Sequence, residues 1–463
     1  MKNISRYIVS EKINKIWGVK MGLSILVSLI ILIWKPFNLT FQQAVIVAST
    51  ILVIIWWSTG IINKIPASLS LLLIYYIFSE ASIKTIISFS LSETFLMIIV
   101  TYLFSQGIAN SGLIEKILQP LLIKVVHTPC QCLIAIVGIF YLTMYIIPQP
   151  LARLIIMASV FYHFFQQTNL PEKTKKVLMY GVFVASAVVN ISTKDADIIM
   201  NNMVANFPEI PISNRMWAYY MFIPTLITCC LLEVLFIYTF RKELIGIDMK
   251  NIEKENKAIT FSTQQKLAIG IIGITVLLWA TNGVHGINNT LITIVSTIIL
   301  FAIKILRGKD WKTVDIATLI FLTAAFSIGT VMKFCGAADK VFGQLKTIFP
   351  TKFSLLYVCV MILVTMLLHM ILGSNTTTLS VVIPGLMILC SQVVKSPIIV
   401  FISVISVAFH AILPFHSISL MIGASNNYYP AKYVTKLGLP VTLFVYLIVI
   451  GVYIPYWSIV GLL

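Results

Sequence analysis

Six consecutive residues, Gly373-Ser374-Asn375-Thr376-Thr377-Thr378, interrupt the apolar run from Leu355 to Ser391. Four hydroxyls and an amide beside a chain-breaking glycine are hard, neutral oxygen donors of the kind that coordinate an alkali cation. A helix broken at such a point also turns the positive end of a half-helix, with its free N–H groups, toward any anion nearby. In hydrocarbon each backbone group freed by a break costs several kcal/mol unless protein or a polar cavity covers it. The knot is therefore expected to line a site, with Ser374, Asn375, Thr376 and Thr377 facing a substrate and Ser374 and Asn375 also facing a cation.

Three further interruptions carry the same logic. Pro148-Gln149-Pro150 removes two backbone donors one residue apart and forbids a continuous helix, which makes Gln149 a candidate substrate contact. The stretch from Asn190 to Asp197 supplies Asn190, Thr193 and Asp195 as candidates for binding or coupling a cation. Pro414 to Ser419 supplies Ser417 for substrate, with His416 and Ser419 for the coupling ion. His416 can also sense or carry a proton, since imidazole titrates near neutrality. Arg153 and Lys194 are expected at membrane depth, where an unpaired charge is costly. Either can replace a bound sodium as a fixed cation facing an anionic substrate, an arrangement suited to exchange or proton coupling. The alternative is structural: Lys194 pairs with Asp195 or Asp197, and Arg153 with a helix-end carbonyl. Glu93, Glu115 and Asp339 fall near span ends and read as interfacial.

The elements that must position these residues follow from composition. The 463 residues are 59% hydrophobic and 11% charged, with a mean hydropathy of +0.97; a soluble domain carries about twice that charge. This is the profile of an all-α polytopic membrane protein. Apolar lengths near 20 residues predict spans at 20–34, 41–58, 66–79, 91–110, 216–240, 266–282, 289–306, 315–335 and 439–461. Lys20 to Trp34 reads as a retained first span, since no small-residue cleavage site follows it. Two broken pairs, 131–167 with 174–206 and 355–394 with 397–428, bring the expectation to about 11 transmembrane helices plus two re-entrant helical hairpins. The net charge of +17 clusters before the first span and at Lys173–Lys176, Arg241–Lys266, Lys304–Lys312 and Lys432–Lys436. By the positive-inside rule these segments, and the N-terminus, are cytoplasmic. The charge thus reports orientation and not nucleic-acid binding.

The breaks recur. Gly112, Pro148, Pro171 and Ser192 reappear as Gly336, Ser374, Pro397 and Ile418 at offsets of about 224 to 226 residues, the pattern of an internally duplicated transporter. Residues 1–40 then form an N-terminal segment with the first span, 41–240 repeat 1, 241–265 a cytoplasmic linker and 266–463 repeat 2. Counting sides gives the two repeats inverted topology.

Gly373-Ser374-Asn375-Thr376, followed by Thr377-Thr378-Leu379-Ser380-Val381-Val382-Ile383-Pro384, resembles the hairpin signature of the divalent anion/sodium symporters, the dicarboxylate carriers of the wider ion-transporter superfamily. Leu413-Pro414-Phe415-His416-Ser417 through Gly438-Leu439-Pro440 is similar to that family's last broken helix, and Ser111-Gly112-Leu113 to its segment before the first hairpin. The resemblance implies a homodimer, a transport domain that moves like an elevator, and sodium held by Ser374, Asn375 and Thr376. Where the family's first hairpin has Ser-Asn-Thr, this chain has Pro148-Gln149-Pro150. Where its first broken helix has a Thr-Pro-Pro-Asn-like turn, this chain has Thr193-Lys194-Asp195-Ala196, and Ser417-Ile418-Ser419-Leu420 fills the second turn.

The expected activity is secondary transport of small anions, di- or tricarboxylates first, with sodium, protons or a counter-anion as the coupled species. Its expected partners are the anion, membrane lipid and a second copy of the chain. The alternatives are a cation/proton antiporter, an inorganic oxyanion carrier, or a membrane scaffold that transports nothing. No Gly-rich phosphate loop, Gly-x-Ser-x-Gly elbow or His-Glu-x-x-His helix occurs, and the seven cysteines lack metal-site spacing. No enzyme activity and no cofactor beyond sodium is expected.

Overall fold

The computed structural model describes residues 2–249, 260–345, 349–350, 352–372, 374–390, 392–413 and 416–463. Gly373, Pro414 and residues 250–259 of the linker lie outside them. The described chain is helical, with no strand among the described residues. Glu93–Ser111, Asn214–Thr239, Ile316–Phe334 and Lys432–Ile459 are long and apolar enough to cross a membrane, and shorter apolar helices of 10–17 residues accompany them. Leu142, Ile274, Leu277, Ile298 and Leu443 are exposed on these helices, as side chains that face hydrocarbon should be.

Helix limits follow local chemistry. Thr40 with Gln43 and Ser262 with Gln265 form capping boxes at the starts of Phe41–Thr59 and Thr263–Ala280. Gly112 and Gly336 lie just beyond two 19-residue helices with φ of 62° and 70°, the left-handed conformation that glycine adopts without a Cβ penalty. Two limits differ from the sequence reading. The first helix starts at Lys2, because nothing before Gly18 breaks it. The last starts at Lys432 and carries Pro440 inside it; it passes through a π-turn at Val449–Tyr453 before ending as Ile454–Ile459.

By contact the chain forms two compact units, residues 1–92 with 315–399, and 93–314 with 400–463. This grouping cuts across both expected repeats. In the first unit, Phe41–Thr59 packs against Lys2–Trp34 and Lys64–Phe78, and Lys64–Phe78 packs in turn on Ile316–Phe334. Trp57 meets Phe321 edge-on at 4.7 Å and donates to Ser68 Oγ at 3.2 Å. Asn375–Cys390 rests on Ile316–Phe334 and Leu355–Leu372, which fixes the polar knot at its N-terminal end.

The second unit is organised around Glu172–Val189, which packs on Pro129–Thr143, Pro150–Gln166, Asn214–Thr239 and Ile418–Ser425. The double proline does more than interrupt. Pro150 opens its helix, where a missing N–H costs nothing, and Gln149 caps it by accepting from Ala152 N. One turn on, the fully buried Arg153 donates to the carbonyls of Ile147 and Ala196, the latter at 2.6 Å, and to Asn190 Oδ1. A more distant contact reaches Met144 O at 3.5 Å. The guanidinium therefore joins the turn before its own helix to the turn that ends Glu172–Val189. In the same unit, Gly438 lies against the backbone at Ala411–Ile412, where an added Cβ would stand 2.2 Å from Ala411 O.

Arg153→Met leaves buried acceptors without donors and should lower stability by about 3 kcal/mol or more, with Arg153→Lys in between. Gly438→Ala should cost about 2 kcal/mol or more through backbone overlap. Thermal melts of the purified protein in detergent check both; unchanged melting temperatures would contradict the two assignments.

Candidate functional site

The first break lies between Val189 and Met200. Asn201, fully buried, donates through Nδ2 to Asn190 O at 2.7 Å and to Thr193 O at 2.9 Å, holding the turn closed. Its Oδ1 and the buried Thr193 Oγ1 make no hydrogen bond. Two oxygens of one buried turn are thus left with lone pairs to offer, which is a fit for a hard cation such as sodium. Asp197 is used locally, accepting from Ile199 N at 3.0 Å and Met200 N at 2.8 Å at the start of Met200–Ala205. Asp195 accepts from Asn214 Nδ2.

The expected pairing of Lys194 with Asp195 or Asp197 is not formed. The ion pair within 4.0 Å among the described residues is Lys175–Glu172. Neighbouring side chains on the short 3-10 turn Lys194–Ala196 point different ways, so Asp195 reaches Asn214 and Lys194 is left aside. Half-buried, Lys194 makes no hydrogen bond or ion pair with a described residue, while Asp195 and Glu93 are near enough to act on its charge. Arg153, by contrast, directs both terminal nitrogens of its guanidinium to protein acceptors while its Nε is left without one, the contacts of the carbonyl-binding alternative.

In the first unit, the polar knot opens Asn375–Cys390. Ser374, Asn375 and Thr376 are half-buried, while Thr377 and Thr378 are buried. Ser374 O accepts from Thr378 N at 2.8 Å, and Ser374 Oγ lies 3.4 Å from Thr376 Oγ1. Asn375 Oδ1 meets His369 Nε2 at 3.1 Å. The Thr377 and Thr378 hydroxyls have no partner, so this knot, like the first break, presents buried oxygens without hydrogen bonds.

The second break belongs to the second unit. His416 is fully buried and its ring stacks on His410 with centroids 5.8 Å apart. Ser417 is buried at the start of Ile418–Ser425, its side chain capping nothing, and Ser419 is half-buried one turn along. Together Gln149, Arg153, Asn190, Thr193, Lys194, Asp195, His416, Ser417 and Ser419 fall in one unit, and Ser374 to Thr377 in the other. Asn201 and Asn214 escaped the sequence reading. Asn201-Asn202 in an otherwise apolar stretch was the available signal, since an amide among apolar neighbours in a membrane segment needs a use.

No curated protein matches the chain. Residues 14–463 match the family described as the sodium:sulfate symporter transmembrane region, whose members carry out secondary active anion transport. With oxygen-lined helix breaks on apolar helices and nearly its whole length matched, the chain belongs to this family of multi-pass membrane transporters.

Proposed function

We propose that the chain carries small dianions, di- or tricarboxylates first, across the cytoplasmic membrane with sodium as co-substrate. The observation that carries this is Lys194, a half-buried cation without an ionic or hydrogen-bonding partner in a broken-helix turn. A cation held in a membrane turn with only the more distant Asp195 and Glu93 acting on it keeps a desolvation cost, and a carboxylate arriving from solution would offset it. Thr193 and Asn201 in one unit, and Thr377 and Thr378 in the other, would each offer oxygens to a sodium ion of their own, which favours neutral oxygen ligands. Gln149 and Ser417, in the same unit as Lys194, would complete the contacts to substrate.

In this reading the two halves, 41–240 and 266–463, are inverted repeats whose segments 131–167 and 355–394 re-enter from opposite sides. Two copies of the chain form a dimer with cytoplasmic N-termini, and a transport body in each moves like an elevator. The recurrence of Gly112 as Gly336, both at positive φ, supports the duplication. A second reading, transport of an inorganic oxyanion such as sulfate, is favoured by the description of the matching family; one lysine serves either dianion.

Uptake of labelled succinate and of labelled sulfate into proteoliposomes, under a sodium gradient, a proton gradient, or internal anion alone, separates these readings. Sodium-driven succinate uptake is the expected result. Sulfate uptake alone would establish the second reading, and no flux of either would sink both. Lys194→Met should lower uptake about ten-fold or more, equivalent to about 1.4 kcal/mol of lost anion interaction, without moving the melting temperature. Thr377→Val with Thr378→Val should raise the sodium concentration for half-maximal uptake several-fold at unchanged folding, read from sodium titrations of the same assay.

A further inference from the structure

The Lys432–Ile448 helix is divided by face. At roughly 100° per residue, Lys432, Lys436, Leu439, Leu443 and Leu447 share one side, and the three leucines are 56, 71 and 69% exposed. Val434, Leu437, Val441 and Val445 on the other side are buried. From its first turn inward, one face therefore reads lysine, lysine, leucine, leucine, leucine. At the charged end lies a cavity of ≈ 550 Å³ that brings Lys173 and Lys176 together with Lys432 and Lys436. Four ammonium groups stand there against one carboxylate, Glu243. None of the four lysines makes a hydrogen bond or ion pair with a described residue; Lys436 Nζ sits 4.4 Å from the centre of the Phe240 ring. Glu172–Val189 and Lys432–Ile448 both begin at this point, adding the positive ends of two helix dipoles.

We propose that this cavity binds the phosphate headgroup of an anionic phospholipid, with an acyl chain laid along Leu439, Leu443 and Leu447. A basic pocket at the end of a membrane helix attracts anionic headgroups. What selects lipid over a soluble phosphate is the exposed leucine stripe, which continues the same helix face and which a soluble anion would leave unused. Gly438, on this helix, packs directly on the backbone of Ala411–Ile412, beside the second break. A headgroup that anchors the first turn of the helix thereby steadies that break, so the lipid would tune a transporter of the kind proposed above.

Native mass spectrometry of the full-length protein in neutral detergent tests the site with phosphatidylglycerol, phosphatidylcholine and inorganic phosphate. Phosphatidylglycerol should be retained about ten-fold over phosphatidylcholine. Lys432→Gln with Lys436→Gln should abolish the preference, whereas Lys304→Gln with Lys309→Gln, the same charge change elsewhere, should preserve it. As a measurement needing no variant, the melting temperature of the unaltered protein should rise with phosphatidylglycerol and not with inorganic phosphate. Equal retention of the two lipids, an unchanged preference in the Lys432/Lys436 variant, or displacement by inorganic phosphate would each overturn the proposal. These binding readouts stand apart from flux, so failure of transport and failure of the lipid site are distinguishable.

Discussion

Every break in a membrane helix frees carbonyl oxygens where water is absent, and something must donate to them. At the first break that donor is Arg153. Its guanidinium binds carbonyls at Ile147 and Ala196 and the amide oxygen of Asn190, so one buried charge satisfies two interrupted segments at once. The geometry suits arginine specifically: a planar fork with five donors spans acceptors that an ammonium on a flexible stem would reach one at a time. The charge itself is stabilised by the dipoles of these acceptors, with the Asp197 carboxylate near enough to act on it as well.

The two polar segments of the second unit solve the same problem differently. Around Asn190–Asp197 the backbone is held by Arg153, by Asn201 and by the Trp217 indole, which donates to Ile191 O at 2.9 Å. Near the second break the His410 and His416 rings stack, and Gly438 lies against the backbone of Ala411. Hydrogen bonds to fixed donors resist displacement steeply, whereas stacked rings and van der Waals contact tolerate small sliding.

Much of this was legible in the sequence. Apolar length placed Phe41–Thr59, Glu93–Ser111, Asn289–Ala302 and Ile316–Phe334 to within a few residues, because helix ends in a membrane protein are set by where hydrocarbon stops. The Ser374–Thr378 knot was visible because five consecutive polar residues have no other reason to occupy an apolar run. Asn201 was missed, since its work is to bridge two carbonyls eight and eleven residues back, a relation with no helical period. The choice of Asn214 over Lys194 as partner to Asp195 was equally hidden: adjacency in sequence suggests pairing, but side-chain direction on a 3-10 turn decides it. The last span was drawn from Leu439, where the apolar run begins, yet its helix starts at Lys432 and carries Pro440, for a proline inside a helix is tolerated when neighbouring helices cover the loss.

The π-turn at Val449–Tyr453 changes what the last helix can be. Trp457 follows Leu443 by two heptads, so on an uninterrupted α-helix at roughly 3.6 residues per turn it would point nearly the same way, into lipid. It is instead fully buried and donates to Tyr220 O at 3.0 Å, while Tyr453, also buried, lies 3.0 Å from the Thr225 hydroxyl. The wider turn rotates everything after it by roughly the angle of one extra residue. One continuous rod thereby carries two registers, apolar outward before the turn and aromatic inward after it. A single residue deleted near Gly451 would relieve the wide turn and leave the tryptophan on its inward side, whereas straightening the turn at full length would swing it out of its seat.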